Sequence, residues 1–239
     1  MISKENFIGN LTCASVTDIG KNHKKLNIPN QDAVLYECMN EDFVLGVSDG
    51  VGSCKKAEIG SLNAVETCRE IFRDIEAGKI SFESEIILNA LIDSWKEHCE
   101  GETNEYCATL KAAFKKGNVL KVVSVGDGFV AVVSDGINVL SPMDEVDFTN
   151  ETKCLSAEVT QYDFWTFDFR LDMYKSYVVV ACTDGIANNI QRGKEIELAE
   201  EIEKNIIGSV LKTSLEELVA DIADYSFDDK TIGVVKYER

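Results

Sequence analysis

Two unbroken apolar runs end abruptly at Asp-Gly pairs, and this feature constrains the fold more than any other. The run FVLGV is followed, after one serine, by Asp49, and the run YVVVAC is followed, after one threonine, by Asp184. Apolar runs of this length predict strands that are buried on both faces. A carboxylate at the end of such a strand is poorly hydrated, so it needs hydrogen-bond donors or a cation to stay charged.

Other acidic residues occupy the same kind of position. Asp32 follows a proline-containing loop at the start of a predicted strand, and Asp228-Asp229 precede the last predicted strand. Four strand ends therefore offer carboxylate oxygens from separate parts of the chain. Carboxylates without His or Cys suit hard divalent ions, namely Mg²⁺ or Mn²⁺. The residue pattern leaves open the alternative that these residues are unrelated caps and turns.

Hairpin signals and a change of hydrophobic period predict the fold class. Gly117-Asn118, Asp127-Gly128 and Asp135-Gly136 separate short apolar runs and are typical of tight hairpin turns. The chain is therefore predicted to be α+β, with antiparallel sheets packed together and covered by helices. The predicted strands are 10–17, 32–38, 43–48, 106–115, 119–125, 129–134, 137–140, 162–169, 176–183 and 231–237.

Four helices are predicted from apolar residues that recur at helical spacing: 54–75, 82–99, 194–206 and 214–225. Leu62 is assigned to the buried face of the first helix and Tyr225 to that of the last. The segment 18–30 is expected to be a polar loop, and 144–157 an irregular connection.

Composition limits the class of protein and its partners. A chain of 239 residues can form one domain, predicted to span 1–239. With 24 Lys+Arg against 42 Asp+Glu the formal charge is −18, which argues against nucleic acid or an anionic membrane as partner. An anionic substrate stays possible because a bound cation can reverse the local field. The sequence shows no signal peptide or membrane-length apolar run, and its eight cysteines lack CxxC spacing, so reduced thiols in the cytoplasm are expected.

Five motifs carry a resemblance to a known family. In order along the chain they are NQDA (30–33), SDGVGS (48–53), VGDG (125–128), CTDGIA (182–187) and FDDKTI (227–232). Together they resemble the metal-dependent serine/threonine protein phosphatases of type 2C, the PPM family, and look most like a compact bacterial branch of it. The resemblance implies a β-sandwich of two antiparallel sheets flanked by α-helices, in four layers αββα, with a binuclear metal centre at one edge.

The resemblance also implies roles for individual residues. By motif position, Asp49 would bridge two Mn²⁺ or Mg²⁺ ions and the backbone carbonyl of Gly50 would bind one of them. Asp184 and Asp228 would hold the other ion.

Two further aspartates receive less direct roles from the resemblance. Asp32 would act through metal-bound water, and its neighbour Gln31 stands where many members of the family have Glu. Asp127 matches an aspartate that can help to hold a weaker third ion, although a hairpin turn would account for it equally well.

The implied activity is hydrolysis of phosphoserine and phosphothreonine on proteins. Two ions can bind the phosphoryl oxygens and lower the pKa of a bridging water for in-line attack, so no covalent phosphoenzyme is expected. The expected partner is a phosphoprotein substrate, with a cognate Ser/Thr kinase acting in opposition, and the chain is expected to be a monomer. The alternative is a catalytically silent relative that binds a phosphoprotein or regulates a partner.

One position departs from the family pattern. Many members carry an Arg four residues before the acidic pair, where it binds phosphate through two hydrogen bonds. Asn27 stands at that place, and the basic residues just before it, His23, Lys24 and Lys25, could supply the positive charge. The alternative is that these three belong to a solvated loop.

Other phosphatase chemistries find little support in the sequence. No Cys is followed six positions later by Arg, two histidines cannot build a His-rich dimetal site, and no P-loop motif is present. His98 is expected to lie at the end of a helix without a catalytic role. Substrate specificity is expected to lie in the segments 144–157 and 187–195.

Overall fold

Antiparallel strands make up most of the core. The computed structural model describes residues 1–134, 137–142, 153–172 and 175–239. The strands in these ranges are β1 (Ile2–Ile8), β2 (Leu11–Asp18), β3 (Asp32–Met39), β4 (Asp42–Asp49), β5 (Leu110–Lys116), β6 (Val119–Val125), β7 (Phe129–Ser134), β8 (Ile137–Leu140), β9 (Trp165–Arg170), β10 (Tyr177–Cys182) and β11 (Lys230–Tyr237).

These strands form two sheets in the described part of the chain. One has the order β1-β2-β11-β10-β7-β8 and the other the order β3-β4-β5-β6-β9, and every pairing is antiparallel. The Asp135-Gly136 turn and residues 143–152 of the expected irregular connection lie outside the described residues.

Helices cover the outer face of each sheet. The described helices are α1 (Lys21–Leu26), α2 (Ala57–Glu76), α3 (Ser84–Glu97), α4 (Asp184–Ala187), α5 (Glu195–Asn205) and α6 (Leu211–Ala223). α2 and α3 pack on the five-stranded sheet, while α4, α5 and α6 pack on the six-stranded sheet. A third apolar core fills the space between the sheets. The expected four-layer αββα sandwich is confirmed.

Burial on both faces explains the unbroken apolar strands. In β4, Phe43, Leu45 and Val47 enter the core between the sheets, whereas Val44 packs under α2 and α3. β10 divides its side chains in the same way between the central core and the core under α5 and α6. A strand with helices on one side and a second sheet on the other has no solvated face, so alternation disappears from its sequence.

Several expectations about local structure were wrong. β1 was not predicted, because this edge strand is largely exposed and its residues are mostly polar. The expected polar loop contains the short helix α1. The Asp127-Gly128 turn is not a hairpin, since β6 and β7 belong to different sheets and the turn crosses between them.

Two apolar residues expected in the core lie outside it. Leu62 of α2 is 51% exposed and Tyr225, beyond the end of α6, is 80% exposed. Small buried residues, Gly60, Ser61 and Ala64, line the inner face of the first turns of α2 instead, where the helix approaches the chain at Tyr106. The buried face of α2 is therefore set by how closely the neighbouring backbone approaches it, and the size of a side chain alone does not identify that face.

Two further features concern the apolar segments and the cysteines of the chain. Within the described residues, no helix has the length and apolar character needed to cross a membrane. All eight cysteines lie in these ranges and are free thiols, four of them buried and four partly buried.

Candidate metal centre

The acidic strand ends meet at one edge of the sandwich. Asp32, the first residue of β3, is the direct cross-strand partner of Asp49, the last residue of β4. Asp184 begins α4 directly after β10, and Asp228 lies just before β11, the neighbour of β10 in the other sheet. Asp127 lies in the turn that crosses between the sheets. Five separate segments of the sequence thus bring five carboxylates to the same edge.

Electrostatic coupling shows how close Asp49 lies to its neighbours. Burial raises the pKa of Asp49 well above its ordinary value, and the charges of Asp32, Asp184 and Asp228 raise it further. A carboxylate in this setting is destabilised by lost hydration and by like charges at the same time. Asp49 is therefore at the centre of the group.

Asp32 shares the same environment. Burial raises the pKa of Asp32 to about 8, the Thr183 hydroxyl opposes this shift, and the charges of Asp229 and Asp184 add to it. The Thr183 hydroxyl donates to Oδ2 of Asp32 at 2.8 Å and also accepts from the backbone N–H of Thr231 at 3.1 Å. Thr183 thus links the start of β3 to the β10–β11 pair.

Asp184 retains an unused oxygen. Burial raises the pKa of Asp184 to about 6, with further contributions from the charges of Asp228 and Asp127. Asn188 donates to Oδ2 at 3.2 Å, but Oδ1 is buried without a hydrogen-bond partner. A buried acceptor without a donor is costly, so its presence calls for a ligand.

The donor set fits a hard divalent cation. The side-chain donors are all carboxylates: Asp32 is buried, Asp49, Asp127 and Asp184 are partly buried, and Asp228 is exposed. Neighbouring carboxylates raise the pKa of Asp32, Asp49 and Asp184, so a cation would relieve both the repulsion and the unpaired oxygen. No three donor side chains in the described ranges already stand close enough together to hold an ion. The oxygens would therefore have to move together when an ion binds.

Backbone contacts position Asp49 and Gly50. The backbone N–H of Asp49 donates to the Thr109 hydroxyl at 3.0 Å, and that of Gly50 donates to the Gln31 carbonyl at 3.0 Å. A Cβ on Gly50 would lie 2.2 Å from the carbonyl oxygen of Ala57 at the start of α2. Only glycine allows this approach, so the Asp-Gly pair here reflects tight packing as well as turn formation.

The comparisons with known proteins agree with this arrangement. A family model described as protein phosphatase 2C matches residues 19–220. The chain belongs to the protein phosphatase 2C family. The resemblance drawn from the five motifs is confirmed, and the matched range contains all the expected site residues except Asp228.

Solved structures of this phosphatase family share the fold. RsbX in complex with magnesium is 14% identical, with a TM-score of 0.69 over 99% of this chain and 100% of RsbX. The catalytic domain of the phosphatase PstP with two manganese ions is 17% identical, with a TM-score of 0.66 over 95% and 99% of the two chains. Stp1 from Staphylococcus aureus is 15% identical, with a TM-score of 0.66 over 98% and 96%. A sequence search of curated proteins gives no significant match.

The expected phosphate-binding residues of this phosphatase 2C chain lie on α1, beside the acidic edge. Nδ1 of His23 lies 2.8 Å from Oδ2 of Asp229, and Nζ of Lys24 lies 3.3 Å from Oδ2 of Asp18. Lys25 is exposed. Two of the three candidates, His23 and Lys24, are thus paired with carboxylates.

The local backbone conformation explains why Asn, and not Arg, stands at position 27 in this member of the family. Asn27 ends α1 in the left-handed conformation, with φ of 56°, and its N–H bonds back to the helix. Asn adopts this conformation more readily than other residues with a side chain, and Arg does so less readily. The departure from the family's Arg therefore coincides with a helix end.

Asp229 was named from the sequence as one of two aspartates before the last strand, but it was given no role. Its carboxylate, 2% exposed, accepts the backbone N–H groups of Gly20 and Gln31, both at 2.6 Å, in addition to its contact with His23. It thereby ties both ends of the segment before β3 to the start of β11. The two adjacent aspartates in FDDKTI could have indicated a separate role for Asp229, because adjacent side chains point in different directions and therefore contact different partners.

Proposed function

We propose that the chain is a metal-dependent phosphatase that hydrolyses phosphoserine and phosphothreonine in proteins. The observation that carries the proposal is the group of carboxylates that separate strand ends bring together around Asp49, with the buried, unpartnered Oδ1 of Asp184 among them. Membership of the protein phosphatase 2C family supports it, as do the magnesium and manganese ions bound in the related structures.

The proposed metal ligands are the residues named by motif position. Asp49 and the Gly50 carbonyl would hold one Mn²⁺ or Mg²⁺, and Asp49 would share a second ion with Asp184 and Asp228. Asp127, whose charge acts on Asp184, would help to hold a weaker third ion. Bound ions of this kind neutralise phosphate and allow water to act as a nucleophile near neutral pH.

The chain's own residues orient this centre. Thr183 orients the Asp32 carboxylate by a hydrogen bond to Oδ2 at 2.8 Å. Thr109 and Gln31 fix the backbone on either side of Asp49. These contacts come from different strands and orient the Asp32 carboxylate and the backbone around Asp49.

The substrate is proposed to be a phosphoprotein. The chain carries a formal charge of −18, so attraction of a phosphate must come from local cations at the site. Lys25 on α1 is exposed beside the acidic edge and is the lysine most available for this contact. A Ser/Thr kinase that acts on the same proteins would be the opposing partner, and the segment 187–195 after α4 is a place where specificity could arise.

A metal-dependence assay tests the proposal. Hydrolysis of p-nitrophenyl phosphate and of a phosphoserine peptide should appear with Mn²⁺, disappear with a chelator and be lost in Asp49→Asn. Asp93→Asn, which changes an exposed carboxylate on α3, is the matched control and should retain activity. Absence of turnover with Mn²⁺ and with Mg²⁺, together with retained phosphopeptide binding, would contradict the proposal and favour the silent binding module.

A further inference from the structure

A histidine and a buried aspartate form a hydrogen-bonded pair beside the carboxylate group. Nδ1 of His23 lies 2.8 Å from Oδ2 of Asp229. The same carboxylate receives two backbone N–H groups at 2.6 Å, from Gly20 and Gln31. Three hydrogen-bond contacts on one buried carboxylate fix its orientation. The imidazole ring is therefore held in one orientation by a rigid partner.

The pair lies next to two of the proposed site residues. Gln31, which shares Oδ2 of Asp229 with His23, directly precedes Asp32, and Asp229 directly follows Asp228. The charge of Asp229 contributes to the raised pKa of Asp32, which places the two carboxylates close together. The ring of His23 is thus separated from the acidic edge by a single carboxylate.

The exposed edge of the ring carries the second nitrogen. Because Nδ1 faces the buried Asp229, Nε2 lies on the opposite edge of the imidazole. The His23 side chain is 18% exposed, whereas that of Asp229 is 2% exposed. The ring therefore has one nitrogen held by a buried carboxylate, while part of its surface stays open to solvent.

The chemistry of phosphate ester hydrolysis needs a proton at this place. A serine or threonine leaves as a strongly basic alkoxide unless a proton reaches its oxygen as the bond breaks. A histidine whose Nδ1–H is bonded to a carboxylate is well suited to give this proton, because the carboxylate stabilises the imidazolium. His98, the other of the two histidines, lies after α3 and is paired with Glu70 at 3.5 Å, away from the acidic edge.

We propose that His23 is the general acid of the reaction, positioned by Asp229; this proposal rests on the proposed phosphatase function. The water oxygen forms the new bond to phosphorus while the ester P–O bond breaks. The electron pair of the broken bond stays on the serine or threonine oxygen, which takes the proton from Nε2. The proton lost by the attacking water returns to the imidazole through solvent.

This role differs measurably from phosphate binding and from a purely structural contact. A phosphate-binding residue would act mainly on KM. A structural residue would reduce turnover of every substrate by a similar factor. A general acid acts on kcat and only where the leaving group is a poor one, because nitrophenolate departs without a proton.

The test compares two substrates in His23→Asn. The amide nitrogen of asparagine can take the place of Nδ1 towards Asp229, so the structural contact is conserved while the acid is removed. With Mn²⁺ present, kcat for a phosphoserine peptide should fall on the order of 10²-fold or more, with little change in KM. Turnover of p-nitrophenyl phosphate should change by no more than a few-fold. His98→Asn, the matched control, should leave both substrates unaffected.

A second variant distinguishes loss of the acid from a folding defect. Added imidazole should restore part of the peptide turnover lost in His23→Ala, and Mn²⁺ binding measured by calorimetry should be retained in both variants. Equal losses on the two substrates, or undiminished peptide turnover, would overturn the role of His23 alone. A wild-type protein inert on both substrates with Mn²⁺ and with Mg²⁺ would overturn the phosphatase function and this proposal together.

Discussion

Asp32 and Asp49 face each other as direct partners across the β3–β4 ladder. Like charges at directly opposed positions of an antiparallel pair destabilise a sheet, and here both side chains are also largely removed from water. The arrangement therefore lowers stability in return for a site that attracts cations. It is the kind of local conflict that is expected at a functional site.

Removing one of these charges should raise the stability of the metal-free protein and weaken metal binding. We expect Asp49→Asn to raise the melting temperature in the presence of a chelator, because the buried repulsion is relieved. A gain of about 1 kcal/mol corresponds to about 2–4 °C for a chain of this size. The further rise in Tm caused by Mn²⁺ should be lost. Scanning fluorimetry with and without Mn²⁺ measures both, with Asp93→Asn as control; a lower Tm for Asp49→Asn in chelator would contradict the repulsion argument.

Close packing of α4 on the β11 turn should make Gly185 indispensable. A Cβ at this position would lie 1.8 Å from the carbonyl oxygen of Asp229. Gly185→Ala must therefore push α4, and Asp184 with it, away from Asp228. We expect a loss of about 1–3 kcal/mol in the free energy of unfolding and weaker Mn²⁺ binding, measured by urea denaturation and calorimetry.

Gly46→Ala is the matched control for that change. A Cβ on Gly46 of β4 meets its nearest neighbour, Cys68, at 3.6 Å, an ordinary contact distance. This variant should unfold at nearly the same urea concentration as the wild type. Similar losses in the two glycine variants would show that the approach of α4 is not the cause.

The lysines of α1 should differ in their effect on substrate binding. Both Lys24 and Lys25 are exposed, and Lys24 is paired with Asp18. We expect Lys25→Ala to raise KM for a phosphopeptide several-fold with little change in kcat, and Lys24→Ala to have a smaller effect. Lys79→Ala, at the far end of α2, is the control. If the combined change of His23, Lys24 and Lys25 to Ala left KM unchanged, none of the three would bind phosphate.

The cross-strand pair of Lys121 and Asp168 should produce a pH-dependent part of the stability. Partial burial works to raise the pKa of Asp168, but the Lys121 ammonium and the Ser84 hydroxyl outweigh it and hold the pKa below its ordinary value. A carboxyl with a lowered pKa in the folded state stabilises above its unfolded pKa, and this contribution is lost as the pH falls through the folded pKa. Asp168 is about half exposed, so screening limits the contribution to less than about 1 kcal/mol.

Asp168→Asn should reveal this contribution in urea denaturation at several pH values. The variant should be less stable than the wild type at neutral pH, and the difference should shrink as the pH falls below about 4. Asp221→Asn, an exposed position on α6, should show no such trend. A difference that is constant with pH would assign the effect to packing.

The exposure of Leu62 leads to a comparison of two identical substitutions. Leu91 of α3 is 1% exposed and Leu62 of α2 is 51% exposed. Leu91→Ala should lower the free energy of unfolding by about 2–5 kcal/mol through lost burial and a residual cavity. Leu62→Ala should change it by less than about 0.5 kcal/mol. Comparable losses at the two positions in urea denaturation would mean that Leu62 belongs to the core after all.

Much of the fold and part of the candidate site could be predicted from local pattern. The strands that lead to Asp49 and Asp184 were predicted because burial on both faces leaves an unbroken apolar run. The long helices were predicted from their period, although their ends shifted by a few residues, as frayed ends do. The order and spacing of five motifs along nearly the whole chain then sufficed to recognise the family.

The sequence by itself determined most of the strands and the long helices, which residues could supply oxygen ligands, and that the chain is acidic. Only the tertiary structure decided that β6 and β7 lie in different sheets, that Asp32 faces Asp49, and that Asp229 binds His23. Local propensity depends on neighbours within a few residues, whereas these three relationships join segments up to about 200 residues apart. Such contacts depend on how the whole chain packs, and the sequence records them only as isolated polar residues.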